Sequence, residues 1–328
     1  MLKPSTIPNE TQQRMIERRY GMFIHFGINT FNDTEWSDGT LPVDSYAPPK
    51  IDADTWIKNA FECGMKYVIL VAKHHDGFCM WDTDTTEYGI KHSPNPTDVV
   101  KAVSAACQKY GIGFGLYYSL WDRHEPCYSN QKKYVDYMER HLTELLDGRY
   151  GRVEELWFDG GWDKKAAEWE IDRLYSIAKR LQPGIAVGVN WTIGEDFPEG
   201  VDGHEFWPEN YREGMPMRYF PSDFRLLDPK FPPKEDPKLY SHDGQLYYLP
   251  FEATICIRNM RNWFWDPQYP CDPLVEASFI AEHYKQLTNQ KNCLVVNVAP
   301  NIKGEQEADD IRRLKEVREL LYADGISL

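Results

Sequence analysis

The sequence predicts an α/β protein folded as a (β/α)8 barrel of the TIM type, and three observations predict it. Short apolar, β-rich runs alternate along the chain with stretches whose apolar residues recur at helical spacing, the pattern of parallel strands joined by helical crossovers. The runs are apolar at almost every position, so both faces of each strand are buried. Polar and aromatic residues gather just after successive runs, where a parallel barrel keeps its active site. A doubly wound sheet would satisfy the first two observations but lacks its usual glycine fingerprint here. With 328 residues, 42% of them hydrophobic, the chain can bury one large core, and a single catalytic domain over 1–328 is expected.

The elements follow in order. A strand at 21–26 (Gly-Met-Phe-Ile-His-Phe) is followed by a loop carrying Glu35-Trp36 and a helix at 54–63. The second strand, 67–72, ends at Lys73-His74-His75-Asp76-Gly77-Phe78. A helix at 97–110 starts after Pro96-Thr97 and stops at Gly111, as helix start and stop signals require. Strand 112–118, helix 132–147, strand 153–158, helix 164–181 and strand 185–190 come next. The region 191–250 breaks the pattern: it is rich in Pro, Gly, aromatic and charged residues, and too long for an ordinary connection. Its aromatic content argues against a disordered linker and for an active-site insertion, with 206–211 and 218–225 as walls. A weaker strand at 252–257 and a clear one at 293–298 complete the set. An amphipathic helix at 309–322 is expected to close the barrel.

Composition excludes several classes. No run approaches the roughly 20 apolar residues of a membrane span, and Met1-Leu2-Lys3-Pro4-Ser5-Thr6 lacks the apolar core of a signal peptide, so a soluble, cytoplasmic protein without membrane contact is expected. Seven scattered cysteines with no C-x-x-C pair point to reduced thiols. A formal charge of −14 disfavours nucleic acid as a partner and permits a neutral ligand such as a carbohydrate.

The candidate chemistry centres on Glu155-Leu156-Trp157-Phe158-Asp159-Gly160-Gly161-Trp162. This reads as a buried strand that ends by presenting one carboxylate between two tryptophans. Such an acid stays ionised yet reachable, glycines let the backbone turn, and indoles offer apolar faces for sugar rings. Strand alternation puts Trp157 and Asp159 on one side and Phe158 on the other. His25 lies in an otherwise apolar strand, and the adjacent imidazoles of His74 and His75 can aim several donors and acceptors at vicinal hydroxyls. A metal held by His25, His74, His75 and Asp159 is the rival reading. It is disfavoured because later strand ends supply no further histidine, and neither metal nor cofactor is expected.

Met22-Phe23-Ile24-His25-Phe26-Gly27, Glu35-Trp36, the histidine-pair motif, Gly115-Leu116-Tyr117-Tyr118-Ser119 and Leu156-Trp157-Phe158-Asp159-Gly160 together resemble the α-L-fucosidases of glycoside hydrolase family 29. The resemblance runs in order from about Arg19 to the stretch 293–300. It implies a retaining exo-hydrolase on an irregular (β/α)8 barrel that releases terminal L-fucose from fucosylated glycans, with Asp159 as nucleophile and His25, Glu35, Trp36, His74, His75, Tyr117 and Trp157 around the sugar.

A retaining mechanism also needs a second carboxyl group, protonated at the start, about 5 to 5.5 Å from the nucleophile. The resemblance places it on a variable loop, where Glu195, Glu199, Glu205, Glu209 and Glu213 fall. Glu209 is chosen because it follows Trp207-Pro208, which resembles a Pro-Glu pattern seen in the family, and because Pro208 with two nearby aromatics would give it a stiff, partly desolvated setting. Glu205 comes second, and Glu252 is expected to orient active-site groups or to be the acid itself. Phe26, Trp36, Trp207 and Trp263 are candidates for an apolar pocket around the C6 methyl of fucose, and Arg218 and Arg225 for contacts to hydroxyls. Many members of the family carry a β-sandwich after the barrel, whereas this chain ends at Leu328, so a neighbouring subunit is one way to complete the leaving-group side. Two other functions fit the same residues: an exo-glycosidase for α-L-galactosides, and a fucose-binding protein without turnover.

Overall fold

The computed structural model describes residues 2–194, 196–197, 203–258 and 262–328. Its strands are β1 (Tyr20–Ile24), β2 (Tyr67–Lys73), β3 (Gly113–Ser119), β4 (Glu155–Asp159), β5 (Ala186–Asn190), β6 (Phe224–Leu226), β7 (Leu239–His242), β8 (Gln245–Tyr248), β9 (Glu252–Cys256) and β10 (Cys293–Asn297). Eight of them form one parallel sheet in the order β6-β5-β4-β3-β2-β1-β10-β9. A bridge from Arg225 to Phe251 closes this sheet into a barrel, the Arg225 N–H donating to the Pro250 carbonyl at 2.8 Å. The remaining two, β7 and β8, pair as an antiparallel hairpin between β6 and β9.

Helices α1 (Glu10–Arg18), α2 (Ala53–Glu62), α3 (Val99–Tyr110), α4 (Gln131–Leu146), α5 (Ile171–Leu181), α6 (Ala277–Asn289) and α7 (Ala308–Ala323) accompany the strands. Their starts follow from capping side chains. Asn9 accepts from the Gln12 N–H while the Gln12 side chain accepts from the Asn9 N–H, a reciprocal box at the head of α1. Asp98 accepts from the Lys101 N–H at 2.8 Å to start α3, which Gly111 ends in the left-handed region (φ 68°).

Inside the barrel the period of two sorts the side chains. Phe23, Ile69, Tyr117, Trp157, Leu226 and Val295 belong to one interior cluster, separate from the larger apolar layer between strands and helices. Small residues make room for large ones there. A Cβ on Gly188 would lie 2.3 Å from the ring of Phe224 on the adjoining strand.

The strands and helices expected on either side of the irregular region are present. Four features differ. The helix expected from 164 begins only at Ile171, because Ala166–Trp169 form a single 3-10 turn and Glu170 adopts a left-handed conformation (φ 46°). The region 191–250 supplies barrel strand β6 and the hairpin, elements too short to show a period. Helices α1 and α6 were not expected either. No α-helix connects β5 to β6 or β6 to β9 among the described residues, which makes the barrel irregular.

Candidate active site

Inward positions on successive strands deliver side chains to the C-terminal end of the barrel, and there they enclose a cavity of about 200 Å³. On β4 the inward residues are Glu155, Trp157 and Asp159, so the strand's last residue stands on the cavity wall. The chain then turns through Gly160 (φ 78°) and Gly161 (φ 92°). Glycine is required at the first of these, since a Cβ there would sit 2.7 Å from both His75 Nδ1 and Ser119 Oγ.

Asp159 is held by three donors. Its Oδ2 accepts from the Tyr117 hydroxyl at 2.7 Å, its Oδ1 accepts from Asn190 Nδ2 at 2.9 Å, and the Gly160 N–H adds a third bond. Burial pushes its pKa above the ordinary carboxylate range, and the three hydrogen bonds pull the other way by favouring the charged form. Tyr117 and Asn190 are inward residues of β3 and β5, the strands flanking β4.

The three histidines are neutral bases. Burial lowers His25 to about 3, and lowers His74 and His75 well below the imidazole range, with neighbouring positive charge acting in the same direction on the latter two. Their hydrogen bonds fix two tautomers. Asn297 donates through Nδ2 to the Trp263 carbonyl, so its Oδ1 accepts from His25 Nδ1–H at 2.8 Å and His25 Nε2 is left as an acceptor. Ser119 donates to the Trp121 carbonyl, so its oxygen accepts from His75 Nδ1–H at 2.7 Å, and His75 Nε2 is an acceptor too. Glu35 contributes a carboxylate whose Oε2 accepts from the backbone N–H groups of Trp263 (2.9 Å) and Phe264 (3.2 Å). Trp36 is half exposed and stacks on Trp162 with ring centroids 5.2 Å apart and planes 18° apart, while its edge meets His75 and Trp121.

The structure therefore brings together Asp159, His25, Glu35, Trp36, His74, His75, Tyr117 and Trp157. Trp162 and Trp263 line the same cavity, as do four residues that the sequence reading did not select: Asn190, Thr192, Asp228 and Pro229. Alternation along Ala186, Gly188, Asn190 and along Phe224, Leu226, Asp228 was the available signal for two of them.

Other expected site residues are placed elsewhere. Glu252 opens β9 and so lies at the N-terminal floor of the barrel, opposite the cavity. There it accepts from the Tyr67 hydroxyl at 2.6 Å and is hydrogen-bonded to Glu155, which pairs with Arg18 at 2.5 Å. An active-site role for Glu252 is corrected on this ground: a residue at the start of a parallel strand faces the floor. Glu209 does not line the cavity either. It is exposed on the 3-10 turn Pro208–Asn210. Glu205 pairs with Arg212, and Glu213 accepts from the Lys238 and Leu239 N–H groups. Glu195 and Glu199 lie outside the described residues. Phe26 packs behind β1 against Phe31, Tyr46 and Trp56, and Trp207 is largely exposed. Arg218 donates to the Ile193 carbonyl and Arg225 pairs with Asp236, both away from the cavity. Among the described residues no group of three or more His, Cys, Asp or Glu side chains is arranged to hold a metal ion.

The family model described as α-L-fucosidase matches residues 33–325. The α-L-fucosidase 1 of Arabidopsis thaliana is 34% identical over 96% of this chain, which spans 60% of the plant protein's length. Among solved structures, a glycoside hydrolase 29 family member from an unknown rumen bacterium superposes with a TM-score of 0.80 at 25% identity, covering 97% of this chain and 58% of the other. The α-L-fucosidase isoenzyme 1 of Paenibacillus thiaminolyticus gives 0.74 at 25% identity over 96% of this chain and 77% of that one. With a matching family model over most of its length and a barrel whose strand tips carry the expected residues, the chain belongs to the α-L-fucosidase family, glycoside hydrolase family 29.

Proposed function

We propose that the protein is an exo-acting α-L-fucosidase that removes terminal L-fucose from fucosylated glycans by double displacement with retention. The observation that carries this reading is the setting of Asp159, a carboxylate at a barrel strand tip, fixed by Tyr117, Asn190 and Gly160 and open to a cavity that suits a single sugar ring. The relatives named α-L-fucosidase support the choice of substrate.

In the first step a carboxylate oxygen of Asp159 forms a bond to the anomeric carbon as the glycosidic bond breaks. In the second, water attacks the same carbon and the Asp159 ester bond is released, so two inversions give net retention. Rigid placement of the nucleophile by two side chains and a backbone N–H keeps it aligned for attack. His25 Nε2 and His75 Nε2, both acceptors, receive hydroxyl protons of the sugar, and Glu35 accepts another. Trp36 and Trp263 offer apolar faces to the C6 methyl group.

Hydrolysis of an aryl α-L-fucoside, followed by proton NMR of the first-formed sugar, tests the proposal. Release of α-L-fucose by the wild type, with turnover at least about 10³-fold lower in Asp159→Ala, is expected. First-formed β-L-fucose, or full activity in the variant, would contradict it.

A further inference from the structure

We propose that Asp228 is the acid/base partner of Asp159, an inference that rests on the reading of Asp159 as nucleophile. Among the described residues the cavity is lined by three carboxyl groups: Glu35, Asp159 and Asp228. The hydrogen bonds around each separate their roles. Asp159 receives three donors and is built to be an anion. Glu35 receives two backbone N–H groups on one oxygen, partners that can only donate, so it too is held as an acceptor. Asp228 has one hydrogen-bond partner among the described residues, the Thr254 hydroxyl at Oδ1, and Oδ2 has none.

A hydroxyl can donate or accept, so Thr254 serves Asp228 whether it is ionised or protonated, which a group cycling between acid and base requires. Its place in the barrel is equally specific. Asp228 continues the inward register of Phe224 and Leu226 on β6, and Thr254 is inward on β9, the strand across the closing seam. The groups facing it are Asp159 from β4, Tyr117 from β3, Glu35 from the loop after β1, and Thr254 and Cys256 from β9. None is cationic. Burial raises Asp228 well above the ordinary carboxylate range, the Thr254 hydrogen bond opposes this in part, and the negative charges of Asp159 and Glu35 add to the rise, so it begins the cycle protonated.

In the first step the Asp228 proton passes to the glycosidic oxygen as its bond to the anomeric carbon breaks. The bonding electron pair leaves with that oxygen, and Asp159 bonds to the carbon. In the second step the Asp228 carboxylate takes a proton from water, the water oxygen bonds to the anomeric carbon, and the electron pair of the ester bond returns to Asp159.

The test uses the full chain and its Asp228→Ala, Asp228→Asn, Glu209→Ala and Asp159→Ala variants, each confirmed as folded by circular dichroism. Each is assayed on fucosides with a good (2,4-dinitrophenyl) and a poor (alkyl) leaving group, with and without azide. Both Asp228 variants are expected to lose about 10²–10⁴-fold on the poor leaving group and far less on the good one. Azide is expected to accelerate Asp228→Ala and yield α-L-fucosyl azide, whereas Asp159→Ala yields the β-azide. The alkaline limb of the wild-type pH profile should vanish in Asp228→Asn. If Glu209→Ala shows the azide product and leaving-group dependence while Asp228→Ala does not, Asp228 is not the acid/base although Asp159 stands. If Asp159→Ala matches the wild type, the underlying reading fails as well.

Discussion

His75 Nε2 lies 3.9 Å from Asp159 Oδ2, and both atoms are hydrogen-bond acceptors. The Ser119 hydroxyl causes this by donating to Trp121, which commits His75 Nδ1 to donation and turns Nε2 into a lone pair. Two acceptors so close do not satisfy one another, but they suit a hydroxyl donor placed between them.

His75→Ala should therefore weaken substrate more than it disturbs the fold. Losing this bond leaves the sugar hydroxyl unpaired in a buried site, which costs about 1–3 kcal/mol, so kcat/KM should fall roughly 5- to 150-fold. Ser119→Ala, which frees the tautomer without removing the imidazole, should cost only several-fold. Steady-state kinetics on an aryl fucoside reads both. An equal loss in the two variants would show that the tautomer, rather than the contact, matters.

Tyr117→Phe removes a donor to Asp159. A donor stabilises the anion, so its loss raises the pKa of Asp159 further above the ordinary range. Activity requires the ionised carboxylate, and the acid limb of kcat/KM should consequently move to higher pH, with about a tenfold lower plateau. A pH–rate profile of the variant decides the direction.

Glu252 belongs to the floor, so its removal should be a stability effect. Glu252→Ala deletes the acceptor of the Tyr67 hydroxyl and opens a buried space, costing about 2–5 kcal/mol in urea denaturation, while KM changes less than about twofold. Its folded pKa is raised, first by burial and then by Glu155, so folding favours the protonated form. That contribution is complete below the unfolded carboxylate pKa and is lost as pH rises toward the folded value. Glu252→Gln, which cannot ionise, should flatten the decline of stability with pH above the usual carboxylate range.

Gly188→Ala would drive a methyl into the ring of the fully buried Phe224. Overpacking of this kind costs about 1–3 kcal/mol. Because Phe224 starts β6, which leads directly into Asp228, kcat should fall as well, and the smaller Phe224→Leu in the same chain should restore part of both. Denaturation midpoints and kcat of the single and double variants measure the coupling.

Much of this was legible in the sequence, because fully buried parallel strands with polar tips leave a strong local pattern. His25, Tyr117 and Asp159 each end or follow such a run, and their convergence follows from the barrel alone. Asp228 was not legible, since β6 has three residues and sits in a region without period. Trp207-Pro208 gives Glu209 a stiff local setting but says nothing about which way the loop faces. Glu252 opens β9, and a glutamate beside a strand does not by itself say which end of the barrel it faces.

The central claim is that Asp159 becomes covalently attached to the sugar. Incubation with 2-deoxy-2-fluoro-α-L-fucosyl fluoride, whose fluorine slows the second step more than the first, should inactivate the wild type. Peptide mass spectrometry should then place one fluorofucosyl group on the peptide containing Asp159, with no label in Asp159→Ala. Label on another carboxylate, or wild-type turnover with no covalent species at any time, would contradict the account.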